Sequence, residues 1–342
     1  MHRNIWHILI LLGLLLLVTA CGQSNSSATS TGSPTSNTPS TGTGASSPVI
    51  TEFVLPTPGG IPYEITAGPD GNLWFTELKS NQIGRITPTG SISEFPIPTA
   101  GSEPGDIALG PDGNLWFTEI VGNKIGRITP TGTITEFSVP TAGSQPLGIA
   151  LGPDKQLWFI ENASNKIGRI SPTSTITEFA IPTANSRPFG IALGGDGNLW
   201  FTQVVSNQIG RITPTGTITE FPIPTARSEP QDIAPGPDGN LWFTEIGSNQ
   251  IGRINPTGTI TEFPIPTVNS GPFGIALGPD DNLWFTEIVG NKVGRISPTG
   301  AITEFPIPTG NSKPYGIALG PDKQLWFTEE LGNRIGRITI PK

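Results

Sequence analysis

Histidine is almost missing from this chain, and cysteine and methionine occur once each. The two histidines, His2 and His7, fall in an N-terminal segment that reads as a cleaved leader, so the mature chain is expected to hold none. Ser–His triads, Cys–His dyads and the usual zinc sites are thereby excluded. A single cysteine, Cys21, allows no intramolecular disulfide. Charge is sparse as well: 13% of the residues are Asp, Glu, Lys or Arg, and the net charge is −8. An acidic surface repels phosphate, so no nucleic-acid partner is expected. The longest apolar run, Ile8–Val18, is 11 residues broken only by Gly13. A membrane-spanning helix needs roughly 20.

That run does suit a secretion leader, with Arg3 before it and small residues after it. Val18-Thr19-Ala20-Cys21 resembles the bacterial lipobox, which implies cleavage after residue 20 and lipidation of Cys21. The expected location is therefore extracytoplasmic, anchored to the cell membrane by that lipid. Residues 22–48 contain fifteen Ser or Thr, no charge and no apolar side chain larger than alanine. Such a segment cannot bury a core and reads as a disordered tether reaching about 30 Å. The domain plan is thus a leader at 1–20, lipidated Cys21 and tether at 21–48, and one folded domain at 49–342.

The folded domain is a repeat. Trp74, Trp116, Trp158, Trp200, Trp242, Trp284 and Trp326 are spaced 42 residues apart, and an Ile-Gly-Arg (once Val-Gly-Arg) segment ending at Arg85 recurs with the same step through Arg337. Val49–Lys342 holds seven such units without insertion or deletion. A period near 42 suits the four-stranded blade of a β-propeller. Strands are read at 148–151, 114–119, 124–129 and 133–137, with turn signals between them. Prolines (Pro96, Pro98, Pro235) interrupt the first and last of these strands but never the Trp and Arg strands. Proline donates nothing to a ladder and is confined to edges, which gives the order inner, Trp, Arg, outer. The chain stops one outer strand short of a seventh blade, and the missing strand stands at the start as Ile50-Thr51-Glu52-Phe53. The fold expected is all-β: a seven-bladed propeller of four-stranded blades, closed by its N-terminal strand completing the last blade.

Positions alike in every blade are scaffold, and positions that differ are candidates for function. Pairing across the hairpin sets Trp74 opposite Arg85 and Phe75 opposite Gly84, which is cross-strand packing. The Pro-Asp turns are too short to wrap calcium and read as turns. Glu77, Glu119, Glu161, Glu245, Glu287 and Glu329 close the Trp strands, with Gln203 the exception. They could ring the channel mouth and bind a cation or cap their own hairpins, and the regular repetition favours capping. Variation clusters around the proline between blades, where the next residue is Tyr63, Gly105, Leu147, Phe189, Gln231, Phe273 or Tyr315 in turn. Phe273, Tyr315 and Tyr63 belong to neighbouring blades and form an aromatic arc at the mouth, with Lys313, Glu64 and Glu330 beside them. Those six are the candidate ligand-binding residues. The arc could floor a small-molecule site or plug the channel.

The segment 110–119, Gly-Pro-Asp-Gly-Asn-Leu-Trp-Phe-Thr-Glu, with 123–129 and 134–137 after it, resembles the streptogramin B lyase (virginiamycin B lyase) family over all of 49–342. The resemblance implies a seven-bladed propeller. It also implies a carbon–oxygen lyase that linearises a cyclic depsipeptide by elimination, using magnesium and a histidine base. Tyr63 matches the family's Pro-Tyr, although Glu64 stands where glycine would follow, and Glu330 matches its last-repeat carboxylate, which the resemblance makes a candidate magnesium ligand. The family's Glu-Pro-His is Lys313-Pro314-Tyr315 here, and its other Pro-His is Pro272-Phe273. Both histidines and one magnesium carboxylate are therefore replaced. A monomeric, membrane-tethered binding module is expected, taking a small-molecule or macromolecular ligand at the mouth. The alternative is a magnesium-dependent lyase with a rebuilt base. A gluconolactonase-like calcium hydrolase stands third, on the carboxylates alone.

Overall fold

Alternating apolar residues with turn signals at short intervals leave no helical period, and no helix occurs among the described residues. The computed structural model describes residues 48–171 and 173–340; the leader, Cys21 and the tether up to residue 47 lie outside them. Strand β1 (Val49–Val54) opens the domain, and blade one follows as β2 (Pro62–Ala67), β3 (Leu73–Glu77), β4 (Gln82–Ile86) and β5 (Ile92–Pro96). The pattern repeats to β26 (Pro314–Leu319), β27 (Leu325–Glu329) and β28 (Arg334–Thr339). Seven four-stranded antiparallel sheets result, ordered inner, Trp, Arg, outer, and the last runs β1-β28-β27-β26. The propeller is thus closed as expected, with Phe53 opposite Ile335 and Ile50 opposite Ile338.

Closure repeats the contacts made inside every other blade junction. Thr57, ahead of blade one, donates its amide and hydroxyl to Glu94 of the outer strand, at 3.1 and 2.6 Å. Thr309, ahead of blade seven, does the same to Glu52 of β1, at 2.9 Å each. Apolar clusters lie between blades rather than within them. Trp74 and Ile83 of blade one pack with Leu115, Phe117 and Ile128 of blade two, all fully buried or nearly so. Burying such area is the main stabilising term, so each blade depends on its neighbour.

The recurring residues sit where cross-strand pairing puts them. Trp74 faces Arg85 and Phe75 faces Gly84. The Arg85 guanidinium lies 5.4 Å from the Trp74 ring and 5.5 Å from Phe95, while Trp74 Nε1 donates to Asp70 at 3.1 Å. That bond explains the aspartate in each Pro-Asp turn: it holds the Asn72 amide and the indole together. A Cβ on Gly84 would fall 2.1 Å from the Phe75 ring, so glycine is required there by contact. The inner strands begin earlier than the sequence suggests. Pro62 already pairs with Glu77, and a bulge between Pro62 and Ile65 absorbs the extra residues. The variable residues placed in the loop therefore belong to the first turn of the inner strand, on the channel wall.

Candidate functional site at the channel mouth

Each inner strand enters from the loop between blades through a residue with left-handed backbone, Ile61, Glu103, Gln145, Arg187, Glu229, Gly271 or Lys313, with φ between 50 and 66°. Proline follows, then the bulge. A non-glycine residue in that region is strained, and strain that recurs at one face is held there by its surroundings. The holding bonds are visible: Leu78 N–H donates to Ile61 C=O and Glu330 N–H to Lys313 C=O, each at 3.0 Å. Below them a threonine of the Trp strand latches adjacent inner strands. Thr76 Oγ1 accepts from Glu64 N–H and donates to Gly105 C=O at 2.6 Å, and Thr328 closes the circle on Tyr63 C=O at 2.7 Å. Blade three has Ile160 instead, and Asn162 Nδ2 takes over by donating to Pro188 C=O.

The bulge turns the aromatic arc inward. Tyr315 and Tyr63 lie with ring centroids 4.2 Å apart, and the Tyr315 hydroxyl donates to that of Tyr63 at 2.9 Å. Phe273 meets Tyr315 at 3.7 Å, and Phe189 reaches Phe273 edge-on at 5.5 Å. Tyr63, Phe273 and Tyr315 are each more than nine-tenths buried, so the rings close the channel at their own level. Phe189 sits two blades from Phe273 and was not part of the expected arc. Only the width of the channel brings the two into contact.

Beside the rings lies a cavity of about 140 Å³, lined by Tyr63, Leu147 and Phe189 together with the carboxylates Glu64, Asp106 and Asp232. The three carboxylates occupy one slot of the repeat, where the other four blades carry glycine. Asp106 and Asp232 escape the sequence reading, although the rule that singled out Glu64 applies to them. Burial raises all three, and Glu64 stands well above the usual carboxylate range, with Asp106 and Asp232 adding repulsion. Asp106 rises to about 7 and Asp232 to about 6, each held back by backbone donors. Asp106 accepts from Ile107 N–H and, across the blade junction, from Ile149 N–H. Asp232 does the same with Ile233 and Ile275.

All six candidate residues are brought to this mouth. Burial, then the facing phenol, pushes Tyr315 well above the ordinary tyrosine value; Glu330 and Glu64 add repulsion to both tyrosines. Glu330 is half-buried and raised by burial, with the Lys313 ammonium pulling the other way. The loops on the same face expose Val289 and Leu331, each about half accessible, over blades six and seven. The glutamates closing the Trp strands do not converge. Each is buried at its own hairpin; Ser80, Ser164 and Ser248 donate to Glu77, Glu161 and Glu245 at 2.7 Å, the capping arrangement, while Glu119, Glu287 and Glu329 meet glycine at that position and are not capped. No group of three or more His, Cys, Asp or Glu among the described residues is arranged to hold a metal ion, and each oxygen of Asp106 and of Asp232 accepts one backbone amide.

Known proteins share this architecture. The sequence model of the Virginiamycin B lyase family matches residues 38–188 and 152–342. A curated virginiamycin B lyase from Saccharopolyspora erythraea is 56% identical over 41 residues, which is 12% of this chain and 14% of that protein's length. A solved streptogramin B lyase structure superposes with a TM-score of 0.83 at 40% identity, covering 86% of this chain and 98% of the other. A catalytically inactive histidine-to-alanine variant of virginiamycin B lyase from Staphylococcus aureus, solved with quinupristin, gives 0.82 at 43% identity, over 86% and 99%.

Proposed function

Because the chain belongs to the virginiamycin B lyase family, we propose that it is a binding propeller, tethered to a membrane through Cys21, that takes a small cyclic or planar ligand at the channel mouth without cleaving it. The observation that carries this is the lack of any histidine from residue 8 to 342. A relative deprived of one histidine is catalytically inactive and still holds quinupristin. Binding on this fold is therefore separable from the chemistry. The mouth supplies what binding needs: apolar rim residues Val289 and Leu331, the Lys313–Glu330 pair and the edges of Tyr63 and Tyr315.

The competing reading, a carbon–oxygen lyase with a rebuilt site, needs a proton acceptor poised near neutrality. Tyr315 does not qualify, because burial and the Tyr63 hydroxyl hold its proton on. Burial pushes Asp106 up to about 7, but its two oxygens already accept backbone hydrogen bonds from Ile107 and Ile149 that fix them against the channel wall. The test is to incubate the full chain with quinupristin and magnesium, follow the linear product by mass, and measure binding by calorimetry. Binding that Tyr315→Ala abolishes, with no linear product, is expected. Turnover lost on Glu330→Gln would overturn the binding reading in favour of the lyase. No binding of quinupristin or of related cyclic peptides would overturn it in favour of a macromolecular partner.

A further inference from the structure

The six glutamates that close the Trp strands, Glu77, Glu119, Glu161, Glu245, Glu287 and Glu329, are fully buried, yet their carboxyl groups are under-bonded. Both oxygens of Glu119, Glu287 and Glu329 lack any hydrogen-bond partner, as does one oxygen of each of the other three. Each faces a second glutamate on the outer strand: Glu94, Glu136, Glu178, Glu262, Glu304 and Glu52 in the same order. The outer glutamates are well satisfied. Glu136 accepts from the Thr99 amide and hydroxyl and from Lys124 at 3.1 Å, and Glu178 repeats this with Thr141 and Lys166. Lys292 stands 3.6 Å from Glu304, and Arg334 bonds Thr309 beside Glu52. In blades one and five the corresponding residues are the neutral Gln82 and Gln250. Where a cation is present it bonds or flanks the outer carboxylate; it also stands opposite the buried glutamate across the strand pair and draws that group down, an effect that burial and the outer carboxylate outweigh.

Blade four shows which protonation state the pocket accepts. Gln203 stands at the same position, equally buried and paired with Gln208 as Glu77 is with Gln82. An amide has the shape of a carboxylic acid and no charge, so this pocket accepts a neutral group, with Gln203 Nε2 left as unpartnered as the glutamate oxygens are. Its roof is the loop that leads to the mouth. A Cβ on Gly60, in that loop, would fall 2.6 Å from Glu77 Oε2, and Lys79 N–H donates to Gly60 C=O; in blade two the close cover comes from the hairpin itself, where a Cβ on Gly122 would fall 2.7 Å from Glu119 Oε2.

We propose that the six glutamates are held as neutral acids and form a pH-sensitive lock on the mouth face, closed in acidic to neutral solution and released as the solution turns alkaline. Losing the proton places a second charge beside each outer glutamate, under a loop that has no room to admit water without lifting. Burial first, with the facing carboxylate adding to it, raises Glu77, Glu161 and Glu245 to about 7 and Glu119, Glu287 and Glu329 to about 8, from an ordinary 4.5. A folded-state value above the unfolded one means that the native state binds the extra protons. The stabilisation is complete below about 4.5 and is lost as pH climbs through 7 to 8. The lock does not depend on what the mouth binds.

The test is the melting temperature of the full chain from pH 5 to 9, beside the infrared carbonyl stretch of protonated carboxyls, which carboxylates lack. The expected result is a melting temperature that falls steadily to about pH 8 and then levels, with a strong carboxyl band at pH 6 that shrinks by pH 9 to what buried Glu64 retains. The triple variant Glu119→Gln, Glu287→Gln and Glu329→Gln, which copies blade four, should lose about a third of that slope and of the band, because Glu64, Asp106 and Asp232 at the mouth also hold raised carboxyls. A wild-type melting temperature that holds or rises over the range would overturn the proposal, as would the absence of the band at pH 6. A triple variant with the wild-type slope would do the same. The infrared reading on the wild type stands even if the variant fails to fold.

Discussion

Replacing Phe53 by alanine tests how the ring is closed. Phe53 stacks on Trp326 with centroids 5.5 Å apart, carries the Arg337 guanidinium at 5.5 Å, and lies against Gly90 of the next blade. Truncating a fully buried phenylalanine costs about 3–5 kcal/mol. Phe53 is half-buried, which brings the apolar part to roughly 2 kcal/mol, and the lost aromatic pair adds about 0.5–1.5 kcal/mol. The expected loss is therefore about 2.5–3.5 kcal/mol. Phe179 is the internal control, because in the third blade it stacks on Trp158 at 5.4 Å under Arg169 and against Gly216. If β1 completes blade seven, Phe53→Ala and Phe179→Ala shift the urea midpoint by the same amount, within about 1 kcal/mol. Tryptophan fluorescence of the full chain provides the reading, with a common slope for both variants. A Phe53→Ala cost below about 0.5 kcal/mol, beside a full cost for Phe179→Ala, would refute closure by the N-terminal strand.

Two further outcomes are expected. Gly336→Ala drives a methyl group to 2.1 Å from the Phe327 ring and should lower stability by about 1–3 kcal/mol. Gly310→Ala meets no atom within 4 Å and should be neutral or stabilising by about 0.4–1 kcal/mol, so equal melting temperatures for the two would contradict the packing described. Cys21→Ala should move the protein from the membrane fraction to the soluble one and abolish uptake of a lipid label; unchanged fractionation would remove the tether.

The scaffold was legible because its causes are local and repeated seven times. A Trp facing an Arg, a Phe over a Gly and a Pro at a strand edge each follow from one hairpin, and the orphan strand at the start follows from counting. The mouth was only half legible. The slot after the proline revealed Tyr63, Phe273 and Tyr315, yet the very next slot, holding Asp106 and Asp232 beside Glu64, was read only once. Whether the rings line a cup or pack on each other depends on how closely seven inner strands approach. No short segment encodes that distance, and the Phe189–Phe273 contact across blade five is its clearest product. The bulge after each proline was equally hidden, because it arises from matching Pro62 to Glu77 across strands.

The left-handed residue ahead of each mouth proline carries a consequence for how such a protein diversifies. Isoleucine, glutamate, glutamine, arginine, glycine and lysine all occupy that position with nearly the same φ. The backbone is thus set by the scaffold bonds around it and is indifferent to the side chain displayed. The residue after the proline varies just as widely, from Gly105 to Tyr315, over an unchanged threonine latch in most blades. Each blade consequently offers the same frame at a 42-residue offset, within which a rim residue can change as long as its bonds to the neighbouring blade, such as Asp106 to Ile149, change with it. Seven such frames around one opening amount to a combinatorial surface, on which new recognition can be composed by substitution rather than by remodelling the fold.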